Sequence, residues 1–169
     1  MHRRSVLKWI AAAPVVITLP LKSETVPDTR IWKTLEAVQQ HLLPGGNGAP
    51  SARQVRATNY LYMTMRHSSF DYEIRDFVLQ GALWAESEAV GLYGRSFDLL
   101  KAGEQARICQ ILVHEYGRGE SWLSTLISYT LEALLSDPIY GGNVDEAGWK
   151  WLGHVPGTPR PKQRFVHDV

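Results

Sequence analysis

The chain has 169 residues, which is enough for one domain with its own hydrophobic core. Its 44% hydrophobic, 10% aromatic and 21% charged residues are typical of a globular protein and exclude an intrinsically disordered chain or one built mainly of membrane spans. The formal net charge of +1 conceals an imbalance, because the first 22 residues contain four basic side chains and no acid. The remainder carries 14 basic against 17 acidic side chains, which argues against nucleic acid as a partner.

Residues 1–22 have the features of a twin-arginine export signal. Arg3, Arg4, Leu7 and Lys8 precede an apolar run over residues 9–21, which is too short for a bilayer span of about 20 residues. This route carries folded proteins, so the signal predicts a periplasmic location. No small-residue cleavage site precedes Ser23, so we expect cleavage to be inefficient or absent. An uncleaved leader would tether the protein to the membrane surface.

The apolar spacing of residues 23–153 predicts an all-α fold, a single-domain bundle of about five helices. The helices are expected over residues 31–42, 51–65, 71–90, 103–116 and 120–135, and no stretch shows sustained strand alternation. Ser51 and Gln54 form a capping-box pattern at the start of the second helix. Positions predicted to face the core include Val55, Thr58, Tyr62 and Met65 in the second helix, Ile74 and Val78 in the third, and Trp122, Leu126, Ile127 and Leu134 in the fifth.

Two further features have alternative interpretations. Cys109 is the single cysteine, which excludes an intramolecular disulfide; its apolar setting favours a buried core residue over an intersubunit disulfide. Residues 154–169 contain three prolines and little apolar periodicity, which predicts an extended C-terminal arm. The same composition is equally compatible with a disordered tail.

The stretch from Asp137 to Gly157, called here the C-terminal block, is the most unusual part of the sequence. Asp137 and Pro138 would end the fifth helix, Gly141 and Gly142 permit a tight turn, and Asn143 with Glu146 would cap a short helix that ends at Gly153. The turn would present Tyr140, Trp149 and Trp151 close together. Such aromatic residues form either a small local core or the anchor of a protein interface.

The C-terminal block resembles that of the gluconate 2-dehydrogenase subunit 3 family, which carries a similar Asp-Pro-x-Tyr-Gly-Gly-Asn motif followed by Gly-Trp-Lys and a tail with Pro-Gly. The weaker likeness extends to the export signal and to the helical pattern before residue 135. The matching residues here are Asp137, Pro138, Tyr140, Gly141, Gly142, Asn143, Gly148, Trp149, Lys150, Gly153, Pro156 and Gly157.

The resemblance implies a non-catalytic small subunit of a periplasmic sugar or polyol dehydrogenase complex. The expected partner is an FAD-containing flavoprotein of the glucose-methanol-choline type, and a c-type cytochrome carrying haem is a possible third subunit. The small subunit would supply the export signal for both chains and stabilise the flavoprotein. The expected partner interface comprises Asp137, Pro138, Tyr140, Gly141, Gly142, Asn143, Trp149, Lys150, Trp151, Pro156 and Gly157.

The sequence contains no recognisable catalytic, metal or cofactor motif. His114-Glu115 lacks the second histidine of a zinc protease helix, and no Gly-x-Gly-x-x-Gly motif follows a strand. Gly117-Arg118-Gly119 is better explained as a turn between helices than as a phosphate-binding loop. Glu86 and Glu88 lie two residues apart, on different faces of a helix, and cannot form an acid–base pair. A small stand-alone periplasmic enzyme or ligand-binding protein, with a site between helices, is the competing hypothesis.

Overall fold

A computed structural model describes residues 26–163 of the chain. The predicted export signal, with Arg3, Arg4, Leu7 and Lys8, lies outside the described residues, and so do residues 164–169 of the predicted arm. The described part contains helices and no strand, which confirms the predicted all-α class. None of its helices is long and apolar enough to cross a membrane.

Six α-helices make up the described domain, and five of them correspond to the predicted bundle. Three single-turn 3-10 helices span Phe97–Leu99, Pro138–Tyr140 and Val144–Glu146. The α-helices are α1 Arg30–Leu42, α2 Ala57–Met65, α3 Tyr72–Tyr93, α4 Ala102–Glu115, α5 Gly119–Leu135 and the short α6 Ala147–Leu152.

The second helix begins six residues later than predicted. The capping-box bonds do form, because Gln54 N donates to Ser51 Oγ at 3.3 Å and Ser51 N donates to Gln54 Oε1 at 2.7 Å. They close only a turn, since Arg56 adopts a left-handed φ of 53° that interrupts helical geometry before Ala57. The inward stripe of α2 is therefore Ala57, Leu61 and Met65, and the predicted inward positions Thr58 and Tyr62 are half-buried.

The main core lies between the helices α1 to α5, and Trp122 of α5 is its largest fully buried side chain. The Trp122 indole Nε1 donates to the Val78 carbonyl at 3.0 Å, so its single polar atom is satisfied inside the core. The ring lies against Gly81 of α3, where an added Cβ would stand 2.2 Å from the indole. The glycine thus allows α3 and α5 to approach closely.

Two predicted core positions were wrong. Ile127 on α5 and Ile74 on α3 are 39% and 37% exposed, although both belong to apolar helix patterns. On α3 the buried face is narrow because it consists largely of small residues, as at Ala82, Ala85 and Ala89. On α5 the buried face follows Trp122, Leu126 and Leu134 and leaves Ile127 outside it. The surplus apolar residues of α5 are left on the surface.

Candidate functional site

The C-terminal block folds back on the end of α5. Asp137 Oδ1 accepts a hydrogen bond from Ile139 N at 3.0 Å, and this bond caps the turn Pro138–Tyr140. Gly141 follows with a φ of 94°, and its carbonyl accepts from Asn59 Nδ2 of α2 at 2.8 Å. An added Cβ at Gly141 would lie 2.8 Å from the same Asn59 nitrogen. The start of the block is therefore fixed to α2 by its backbone.

Asn143 holds the two halves of the block together. It is fully buried in a left-handed conformation with a φ of 44°, which asparagine tolerates better than most residues. Its Nδ2 donates to the Ser136 carbonyl at 2.9 Å and its Oδ1 accepts from Gly148 N at 2.8 Å. The predicted capping role of Asn143 is thus present, while Glu146 binds Arg160 instead of the helix terminus.

Two glycines let α6 dock closely on α5. An added Cβ at Gly142 would lie 2.6 Å from the Ala133 carbonyl oxygen, and one at Gly148 would lie 2.0 Å from that of Leu134. Neither glycine has a positive φ, so the requirement at both positions is space. Gly142 and Gly148 thus serve the packing of α6 against α5.

The block's two tryptophans have different surroundings. Trp149 is 6% exposed and its indole Nε1 donates to the Leu135 carbonyl at 2.7 Å, so it belongs to a local core. Trp151 is 45% exposed on α6, next to the exposed Lys150. Tyr140 is half-buried in the turn that opens the block. Trp149 therefore follows the core interpretation, and Trp151 remains available as an interface residue.

The first part of the predicted arm is attached to the block. Residues 154–163 form no helix or strand, and they are largely exposed. Arg160 donates from Nε to Asp137 Oδ2 at 2.8 Å and from Nη1 to Glu146 Oε1 at 2.6 Å, and its Cζ lies 5.0 Å from the centre of the Trp149 ring. The hydrogen bond from Arg160 lowers the pKa of the Asp137 carboxyl below its usual range.

An exposed apolar strip runs along α5 and onto α6. We call it the α5–α6 surface, and each of its members is at least 39% exposed: Ile127, Leu131, Leu135, Leu152 and Val155. The three α5 residues follow at steps of four, so they share one helix face. A groove of about 530 Å³ joins Leu135 to Leu152 and Val155, and a second groove, of about 440 Å³, runs from Leu135 to Leu131 and Tyr60. The apolar strip is therefore continuous and borders the block.

The buried carboxylate of Glu86 is hydrogen-bonded to groups from several elements of the fold. Its Oε2 accepts hydrogen bonds from Thr34 Oγ1 at 3.0 Å, Ser96 Oγ at 3.0 Å and Phe97 N at 3.1 Å. The Arg30 guanidinium lies 3.5 Å from its other oxygen. Glu86 thereby joins α1, α3 and the turn at Phe97–Leu99 through its Oε2, while its buried Oε1 has the Arg30 guanidinium nearby and no hydrogen-bond partner among the described residues.

The remaining candidate reactive groups are separate from one another. Glu88 accepts from the Tyr116 hydroxyl at 2.6 Å, on a different side of α3 from Glu86, as the spacing predicted. Cys109 is buried in the core, as expected, and burial raises the pKa of its thiol to about 11. Residues 26–163 contain no group of three or more side chains able to hold a metal ion.

Comparison with known protein families places this block in context. The sequence profile of the family described as gluconate 2-dehydrogenase subunit 3 matches residues 30–157, from the start of α1 to the end of the C-terminal block. The chain belongs to this family. It matches none of the curated proteins and none of the solved structures with which it was compared. The resemblance carried by the block residues is thus confirmed over three quarters of the chain.

The family-motif residues of the C-terminal block fall into buried, half-buried and exposed groups in this chain. Gly142, Asn143, Gly148 and Trp149 are buried and hold α6 against α5. Lys150, Trp151 and Gly157 are exposed, whereas Asp137, Pro138, Tyr140, Gly141 and Pro156 are half-buried. The family motif therefore maintains a packed substructure, and its exposed members lie next to the α5–α6 surface. Sequence reasoning missed that surface, although the four-residue spacing of Ile127, Leu131 and Leu135 is visible in the sequence.

Proposed function

We propose that this chain is the non-catalytic small subunit of a periplasmic, FAD-dependent sugar or polyol dehydrogenase complex. Its twin-arginine signal would export the flavoprotein together with it, and its helical body would stabilise that partner. The FAD would reside in the partner, of the glucose-methanol-choline type, and haem c in a third, cytochrome subunit where one is present. Membership of a family of dehydrogenase accessory subunits supports this proposal.

The observation that carries the proposal is the α5–α6 surface. Contiguous apolar patches of this kind on a soluble domain commonly mark protein interaction sites. Leu135, Leu152 and Val155 surround a groove beside the buried Trp149, so a partner side chain could bury its apolar area against a rigid wall. Most of the predicted interface residues belong to the substructure that shapes this groove, and Trp151 would contribute directly.

Surface variants test this interface without disturbing the core. We expect Leu131→Ser with Leu152→Ser to weaken co-purification of the flavoprotein, because both side chains are exposed and would be buried by the partner. Leu83→Ser with Leu92→Ser on α3 is the matched control, since these leucines are similarly exposed outside the strip. Equal loss of complex in both pairs, or in neither, would contradict the assignment of this surface.

The structure also decides which aromatic substitution is informative. Trp149→Ala would remove a buried ring and a core hydrogen bond, so loss of the complex could reflect loss of the fold. Trp151→Ala removes an exposed ring and should weaken the complex while the melting temperature stays unchanged. A complex of undiminished affinity would remove Trp151 from the interface.

The export role is tested separately. We expect Arg3→Lys with Arg4→Lys to retain both this chain and the flavoprotein in the cytoplasm, because the partner is expected to lack a signal of its own. Fractionation and flavin fluorescence of the periplasm provide the measurement. A flavoprotein that still reached the periplasm would refute the carrier role while leaving the interface proposal intact.

The competing hypothesis of a stand-alone enzyme makes a different prediction. Purified chain alone would then reduce an artificial electron acceptor in the presence of a sugar. We expect no activity from this chain alone, and activity only when the flavoprotein is present. Turnover by the isolated chain would favour the competing hypothesis.

A further inference from the structure

The groove between Tyr60 of α2 and the face of α5 places a carboxylate among apolar side chains. It has a volume of about 440 Å³ and is part of the α5–α6 surface. Its apolar part is formed by Leu131 and Leu135, which are 42% and 48% exposed. Glu132, also exposed, is the only charged side chain among the described residues that line it. A negative charge therefore lies directly beside two apolar side chains that the proposed interface would cover.

The Glu132 carboxylate is held by a neutral donor. The Tyr60 hydroxyl donates to Glu132 Oε2 at 3.1 Å. Burial and the neighbouring Glu132 charge raise the pKa of Tyr60 to about 12, so the hydroxyl keeps its proton at neutral pH. The hydroxyl of Ser128, which also lines the groove, donates to the Ser124 carbonyl at 3.0 Å. Glu132 forms no ion pair with any residue between 26 and 163.

Binding of the flavoprotein to the α5–α6 surface would remove water from this carboxylate. In the free chain Glu132 is exposed to water, so the lack of a counter-ion costs little there. Under a partner that covers Leu131 and Leu135 the same charge is desolvated, and one neutral hydrogen bond offsets only part of that cost. A partner that binds tightly here must therefore bring a positive charge to Glu132.

The apolar part of the groove fits the remainder of a basic side chain. Lysine and arginine bury their aliphatic stems along apolar surfaces while the charged end reaches a polar group. Leu131 precedes Glu132 directly and Leu135 lies three residues after it, so the apolar surface extends up to the carboxylate. An apolar side chain in this groove would leave Glu132 unpaired, and an acidic one would repel it. A basic side chain satisfies both parts of the groove.

We propose that this groove receives a Lys or Arg side chain of the flavoprotein partner, which pairs with Glu132 while its stem packs on Leu131 and Leu135. The proposal rests on the proposed function, because it names the chemistry by which the partner meets the α5–α6 surface. Tyr60 holds one oxygen of the carboxylate, and the cation of the partner binds the carboxylate from the groove.

The test uses the complete chain and the flavoprotein, with affinity measured by titration calorimetry. Glu132→Gln removes the charge but retains an acceptor for Tyr60, so we expect binding to weaken about 5-fold or more with an unchanged melting temperature. Glu132→Lys sets a like charge against the cation of the partner, so we expect a loss of about 50-fold or more. Glu115→Lys is the matched control, because it changes the net charge of the chain equally at an exposed position at the end of α4. Its affinity should equal that of the unaltered chain.

The outcomes separate the two proposals. If the unaltered chain fails to bind the flavoprotein, the proposed function and this inference both fall. If it binds and Glu132→Gln binds equally well, the inference is overturned and the proposed function stands. Equal losses for Glu132→Gln and Glu132→Lys would indicate a neutral donor from the partner, and equal losses for Glu132→Lys and Glu115→Lys would indicate a general effect of net charge. Either of these results also overturns the inference.

Discussion

Replacement of Asn143 by alanine should release the C-terminal block from α5. The substitution removes both amide hydrogen bonds, leaving the buried Gly148 N–H without its acceptor and the Ser136 carbonyl without its donor. Each unsatisfied group costs about 1–3 kcal/mol. Alanine at a φ of 44° adds about 1–2 kcal/mol of left-handed strain. The sum is about 3–8 kcal/mol, against a typical total stability of about 5–15 kcal/mol.

Two further variants divide this effect into its parts. Asn143→Gly loses the same hydrogen bonds without the backbone strain, so it should be more stable than Asn143→Ala by about 1–2 kcal/mol. Asn47→Ala is the matched control, because Asn47 has a similar φ of 49° in an exposed turn and makes no side-chain hydrogen bond with the described residues. It should lose about 1–2 kcal/mol. Urea denaturation followed by far-UV and near-UV circular dichroism provides the free energies of unfolding. Equal losses for Asn143→Ala and Asn47→Ala would refute the reasoning.

Three other expectations follow from the same structure. Gly81→Ala should destabilise the domain by several kcal/mol in thermal unfolding, because the added Cβ would overlap the buried Trp122 indole. Gly91→Ala on the same helix places its Cβ in open space, so it should stabilise the domain by about 0.5–1 kcal/mol. The Cys109 thiol, with its pKa raised to about 11 by burial, should react with iodoacetamide at pH 8 far more slowly in the native protein than in urea. Arg160→Met should lower the free energy of unfolding most at neutral pH, because the lowered pKa of Asp137 contributes stability at pH values above the usual pKa of a carboxyl group. This contribution is lost as the pH falls through the lowered pKa. The difference in stability between the variant and the unaltered chain should therefore shrink in acid.

Local patterns predicted most of the fold. The apolar spacing predicted a helix over residues 31–42, and α1 spans Arg30–Leu42. The helix predicted over residues 71–90 corresponds to α3, which begins after the capping residue Asp71 and ends before Gly94. The second helix was misplaced because a capping box reports only local hydrogen bonding. The left-handed Arg56 that ends its first turn depends on tertiary packing, since Val55 and Ala57 on either side of it are fully buried.

The candidate site was predictable only in part. The C-terminal block could be identified from its Gly, Asn and Trp content, but composition does not say which tryptophan is buried. Trp149 is inside because its indole reaches the Leu135 carbonyl, a contact that requires α6 to dock on α5. Arg160 could not be assigned to Asp137 and Glu146 from spacing, because the loop between them has no helical or strand period.

The central claim is that this chain is an accessory subunit that binds and stabilises a flavoprotein. The most direct measurement is affinity purification of the tagged full-length chain, co-expressed with the expected FAD-containing dehydrogenase, followed by flavin absorbance and sugar-dependent dye reduction of the eluate. The account predicts that the flavoprotein co-elutes with its FAD, that it carries all of the activity, and that its yield falls when this chain is omitted. A flavoprotein that is equally stable and active alone and does not co-elute would contradict the account.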